Sequence, residues 1–172
     1  MSQKGFTLVE LMVVLAVVAV TFTFAIPAMK TIIQNNNVSG ETNRLAASIR
    51  YARSEAVTRN QIITLSNKGG ISQWRGGWEI FVDASGGNSH YKASEDVLVR
   101  REVDAHPTVS LKSTKDGENW LSFNADGSLR ENNDVTFFVC DSKQSVLGNA
   151  ITISRTGRVM VRGNIAHVDC KK

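Results

Sequence analysis

The sequence is sparing with the residues that break a fold or build a reactive centre. Two of its 172 residues are proline and 21% are charged, so a disordered chain is not indicated. Its two cysteines, Cys140 and Cys170, are distant from each other, and a metal site needs more ligands than they supply. The three histidines, His90, His106 and His167, are scattered and read as surface residues rather than ligands. His167-Val168-Asp169 is too little for a metal pair. No Gly-x-Ser-x-Gly elbow, P-loop or His-Glu-x-x-His is present. The loops Asp83–Asn88 and Asn124–Gly127 carry calcium-like residues, but ordinary turn chemistry explains both. The expectation is a protein that is not an enzyme, with no cofactor and no metal.

What the chain does have is a long apolar run near its start. A short polar leader with one Lys ends at Gly5, and an apolar stretch then continues to about Met29. At ~1.5 Å per residue such a helix crosses a ~30 Å hydrocarbon layer. A generic signal anchor or a cleaved secretory signal is the bland alternative. A secretory signal, however, carries its cleavage site after a shorter apolar core. Here Gly5 precedes the core, so a cut at Gly5 keeps the helix. Gly5 is also the one leader residue without a β-carbon, which suits a peptidase that needs close backbone approach.

One carboxylate, Glu10, sits inside the run. A carboxylate near a membrane is costly unless neutralised or paired, and so points to a function. If the chain is cut after Gly5, Phe6 gains an α-amine one helical turn from Glu10. In an assembly Glu10 can instead meet the amine of a neighbouring subunit. The rival role is charge complementarity at a helix N-terminus, worth ~0.3–1 kcal/mol.

Charge is unevenly spread. Lys143, Arg155, Arg158, Arg162, Lys171 and Lys172 face only Asp141 and Asp169 from Cys140 onward, which accounts for the whole net charge of +4. If the part after the apolar run lies outside the cytoplasm, disulfides persist there. A Cys140–Cys170 bridge would then close a loop credited with ~3–4 kcal/mol by the chain-entropy model. Two unpaired thiols are the alternative.

In chain order, 6–29 reads as a helix that Pro27 tends to kink. Thr21 and Thr23 are tolerable there because they can bond back to the helix. Residues 34–40 are polar, either a break or a solvent-facing turn of a continuing helix. From Glu41 to Asn60 an amphipathic helix follows, with Leu45, Ile49, Ala52 and Ala56 on one stripe, most of the charges off it, and Asn60 as a plausible stop. The period then changes to two. About seven short strands are expected between Gln61 and Arg162, with turns at Lys68–Gly70, Asn124–Gly127 and Arg155–Gly157. The fold class is α+β, with the long helix covering one face of an antiparallel sheet.

Gly5-Phe6-Thr7-Leu8-Val9-Glu10 before an apolar helix resembles the N-terminus of type IV pilins and type II secretion pseudopilins. Asn43-Arg44-Leu45, Ala52–Val57, Arg59-Asn60, Gly77–Asp83, Glu95-Asp96, Leu98 and Phe123–Gly127 extend the resemblance to the GspH/FimT group of minor pilins and pseudopilins, over nearly the whole chain. The resemblance implies a type IV pilin-like fold. It divides the chain into a leader (1–5), a transmembrane assembly helix (6–29), its amphipathic continuation (30–60) and a β-rich periplasmic head (61–172). It further implies cleavage between Gly5 and Phe6 by a prepilin peptidase, N-methylation of Phe6, and docking through Glu10. The protein would be held in the inner membrane and incorporated into an extracellular pilus beside major and minor pilins.

Within that group, FimT-like members linked to DNA uptake are similar in having a basic C-terminal strand with a Gly-Arg-x-Arg motif. Here Gly157-Arg158-Val159-Met160 departs from it, since Met160 takes the second Arg position. Arg162 lies two residues further on, on the same strand face as Arg158. Arg155, Arg158, Arg162, Lys171 and Lys172 are therefore the candidates for sequence-independent contact with double-stranded DNA, as in natural transformation. Trp74, Trp78 and Trp120 fit core packing better than base stacking. A solvated basic face is the structural alternative. The functional alternatives are a GspH-like pseudopilin with no DNA role and a membrane-anchored binding protein unrelated to pili.

Overall fold

The computed structural model describes residues 5, 7–68, 74–84, 86, 90–114, 119–166 and 170. Phe6, Lys171, Lys172 and His167 lie outside the described residues, as does most of the Lys68–Gly70 turn. Among the described residues one α-helix, α1 (Leu8–Arg59), precedes eight strands. These are β1 (Ile63–Asn67), β2 (Trp78–Val82), β3 (Val97–Arg101), β4 (Val109–Ser113), β5 (Trp120–Phe123), β6 (Val135–Asp141), β7 (Gly148–Ile153) and β8 (Val159–Ile165).

The 52 residues of α1 span ~78 Å at the usual helical rise. Thr7 caps its start, its hydroxyl accepting the Glu10 amide at 3.2 Å. The helix runs through Pro27 without a break. Thr21 and Thr23 bond back to the carbonyls of Val17 and Ala19. Residues 34–40 continue the helix and are not a break. Val38 is already buried there, and Gln34 is tied to the head. The stop is at Asn60, in the left-handed conformation at φ 51°, with its amide closing onto Ala56 and Val57.

The first half of α1 is exposed along its apolar length, from Leu8 to Ile33. The second half buries one stripe, Val38, Thr42, Leu45, Ile49, Ala52 and Ala56, at alternating steps of four and three. A helix so divided is long and apolar enough at one end to cross a membrane, and amphipathic enough at the other to carry a domain.

The single expected sheet is in fact two, each of four antiparallel strands. Their orders are β3-β2-β1-β5 and β4-β6-β7-β8. Both lean on α1, so one apolar core lies between the helix stripe and two sheet faces. Ile63, Leu65, Ile80, Leu121 and Phe123 enter it from the first sheet, and Val109, Leu111, Phe137, Val139, Ile151 and Ile153 from the second. A short 3-10 turn, Trp74–Gly76, joins them, with Trp74 set edge-on to Phe137 at 4.9 Å. Trp74 and Trp78 are buried and Trp120 half-buried, in keeping with packing. His90 is half-buried, with its ring edge-on to Trp120. His106 is exposed.

A cationic edge beside the long helix

Two hairpin turns meet the side of α1 at its far end. Gly127, at φ 78°, ends the turn that starts at Asn124 and leads into the bridge between Phe123 and Leu129. Gly157, at φ 75°, closes the turn between β7 and β8, its amide donating to the Ser154 carbonyl at 2.8 Å. Loops of this length use a left-handed final residue, which glycine adopts without strain. A β-carbon at Gly157 would collide with the Gly127 carbonyl and lie 2.7 Å from Arg53 Nε. Arg53 of α1 fastens both turns. Its Nε donates to the Gly127 carbonyl at 2.9 Å and its terminal nitrogen to the Thr156 carbonyl at 3.3 Å. Sequence periodicity placed Arg53 on the solvent side, and no local signal names its distant partners.

The turn presents the predicted arginines. The Arg155 amide donates to Asp134 and its carbonyl accepts from Leu129, so its backbone is fixed while its side chain is exposed. The amide of Arg158 is held by the Ser154 hydroxyl at 3.2 Å, and its carbonyl accepts the Ser154 amide, extending the β7–β8 ladder by one step. Arg162 pairs across from Ala150. Arg158, Met160 and Arg162 alternate along the strand and all are exposed. Over four residues the two arginines stand ~13 Å apart at the normal strand rise. Of the ion pairs among the described residues, none uses Arg155, Arg158 or Arg162.

The three do not converge on one pocket. Arg158 faces a cleft against α1 that also contains Arg50 and Arg53. Arg155 borders another hollow, in company with Glu131. Arg162 lies on the outer side of the second sheet, near a small cluster of Phe138, Cys140, Ala150, Ile165 and Cys170. Cys140 and Cys170 form a disulfide with Cα atoms 5.9 Å apart, which ties Cys170 to β6.

At the other end of the molecule, Gly5 is exposed and Glu10 is exposed in the first turn of α1. Thr7 and Glu10 have the spacing of a capping box, and the structure contains its threonine half.

Where the helix enters the head, Asp141 at the end of β6 is buried and collects donors. Gln34 Nε2 donates to it at 2.8 Å, and the amides of Lys143 and Ser145 and the Ser145 hydroxyl also donate. Burial pushes the Asp141 carboxyl up, but the bonds from Ser145, Lys143 and Val146 outweigh it and hold it below the usual carboxylate range.

A helix with an exposed apolar half and an amphipathic half carrying a two-sheet head is the architecture of a membrane-anchored filament subunit of the pilin class. The comparisons agree. Residues 41–157 match the family model described as type II transport protein GspH, and residues 1–26 match the prokaryotic N-terminal methylation motif. The chain belongs to the GspH family. Among solved structures, it is similar to the type IV minor pilin FimU of Pseudomonas aeruginosa, at 27% identity and a TM-score of 0.64, over 76% of this chain and 92% of that one. A second crystal form of FimU matches at 29% identity and a TM-score of 0.60, over 72% and 91%. The minor pseudopilin EpsH of the Vibrio cholerae type 2 secretion system shares the fold at 9% identity and a TM-score of 0.54, over 74% and 97%. No curated protein sequence matches. A minor pilin or pseudopilin is thus the class of function.

Proposed function

We propose that this chain is a minor subunit of a type IV pilus whose head binds double-stranded DNA without sequence preference, as a capture step in DNA uptake. In this reading a prepilin peptidase cuts between Gly5 and Phe6, and Phe6 is then N-methylated. Glu10 guides α1 from the inner membrane into a filament of other pilins, and the head is displayed outside. The head has no catalytic step to perform.

The observation that carries the DNA reading is the exposed trio Arg155, Arg158 and Arg162 on a hairpin whose backbone is fixed. Guanidinium groups supply phosphate affinity regardless of sequence, and a rigid backbone lowers the ordering cost of using them. Lys171 and Lys172 follow Cys170 in sequence and add two charges. A filament repeating weak contacts gains by avidity. Placement in a pilus is supported by the 27% identity to FimU. A GspH-like pseudopilin with no DNA role is the second reading, favoured by the family model over residues 41–157.

The test is a mobility shift of duplex DNA with the full chain in lipid nanodiscs, at low and moderate salt. The proposal expects binding that weakens with salt and is lost when Arg155, Arg158 and Arg162 are all changed to Gln. A wild-type chain that fails to shift DNA at low salt, in nanodiscs and in isolated filaments alike, would leave the pseudopilin reading.

A further inference from the structure

A cleft of about 550 Å³ opens between the last turns of α1 and the start of β8. Arg50, Arg53 and Arg158 line it, together with Ser54, Val57, Thr58 and Val159. Among the described residues that line it there is no carboxylate. Its walls are fixed. Arg53 is spent on the Gly127 and Thr156 carbonyls, and Gly157 leaves no room for the turn to shift toward Arg53. Arg50 and Arg158 are the exposed cations of the pair of walls, one from the helix and one from the strand.

We propose that this cleft is a phosphate subsite in which Arg50 and Arg158 hold one phosphodiester between them. The inference rests on the DNA reading for the source of that phosphate. Two guanidinium forks match the tetrahedral oxygens of a phosphate, and the charge left on Arg53 deepens the potential without needing to move. Hydroxyls at Ser54 and Thr58 are further donors, and Val57 suits the apolar face of a deoxyribose. Lipid is not the source. Arg50 lies 21 residues beyond Met29 along an unbroken helix, ~30 Å past the apolar segment and well beyond a Debye length of ~8–10 Å. Arg50 is thereby a member of the DNA surface that the basic C-terminus alone does not include.

The test compares Arg50→Gln with Arg59→Gln in the full chain, in phosphatidylcholine nanodiscs, by anisotropy of a short labelled duplex across salt. Arg59 is an exposed arginine of the same helix, paired with Glu55 and outside the cleft. Arg50→Gln should weaken binding by roughly 3–10-fold and lower the salt slope by about 1, with Arg50→Lys intermediate and Arg59→Gln unchanged. In parallel, inorganic phosphate should shift the Nε–H signals of Arg50 and Arg158 together. If Arg50→Gln and Arg59→Gln behave alike while the triple Arg155, Arg158, Arg162 variant loses binding, the cleft is overturned and the DNA reading stands. If the duplex does not bind but phosphate still shifts both signals, the phosphate site stands and a duplex as its source is overturned. If neither ligand has any effect, both are overturned.

Discussion

Gln34 of α1 donates a hydrogen bond of 2.8 Å to the buried carboxylate of Asp141, at the point where the helix leaves its apolar half and enters the head. The same side chain donates to the Thr108 carbonyl and accepts from the Thr108 hydroxyl. One glutamine therefore ties the helix to the start of β4 and the end of β6. This joint is one of the points at which the head is tied to its anchor, beside the buried stripe of α1.

Acid should loosen that joint. Asp141 titrates below the ordinary carboxylate range, so its bonds add stability that is fully present above the unfolded value of ~3.9 and is lost as pH falls through the lower folded value. Thermal unfolding of the head followed by circular dichroism should show a decline below about pH 4 that is reduced in Asp141→Asn. At neutral pH that variant should be less stable by about 1–3 kcal/mol, having exchanged a buried acceptor for a donor. An identical acid response in both proteins would mean that other carboxylates control it.

Replacing Gly157 by Ala should destabilise the head by about 1–3 kcal/mol, through both the positive φ and the collision with Gly127. Arg53→Ala should cost less, about 1–2 kcal/mol, since it removes two bonds to carbonyls without inserting a clash. Denaturant midpoints would rank the two. The reverse order would mean that the turns rearrange freely and that Arg53 holds more than these two carbonyls.

Reduction of the Cys140–Cys170 bridge, or a double change to Ser, should lower stability by about 2–4 kcal/mol. The loss should centre on β6 and the residues that follow β8, visible as faster amide exchange there, while α1 and the first sheet keep their protection. Uniform loss of protection would show that the bridge supports the whole head.

The helix was legible because its two halves carry different patterns. An unbroken apolar run marks the first, and Leu45, Ile49, Ala52 and Ala56 mark the second. Asn60 ends it as its residue type suggests. Residues 34–40 were ambiguous because Asn, Ser and Gly have weak helix propensity, and it is long-range bonding by Gln34 and burial of Val38 that decide the matter. Alternation located the strands, but it says which residues face inward, not which strands pair. The split into two sheets was accordingly invisible. The arginines of the β7–β8 hairpin stood out through the uneven charge and the resemblance to a basic C-terminal strand, and the structure adds that they are exposed. Arg53 did not stand out, because its carbonyl partners lie 74 and 103 residues away, and neither did Arg50, because a charge off the apolar stripe looks solvated.

In the proposed reading α1 carries the head into a surface filament and the charge of Glu10 takes it there. Recovery of the chain in sheared filaments, with wild type beside Glu10→Gln, is the first measurement to make. Glutamine fits the capping box as well as glutamate does, so the start of the helix is preserved and only the charge is lost. Wild-type chain should be found in the filaments and the Glu10→Gln chain should be retained in the membrane. Equal recovery of the two would contradict the charge role, and absence of the wild-type chain from filaments would contradict the pilus assignment itself.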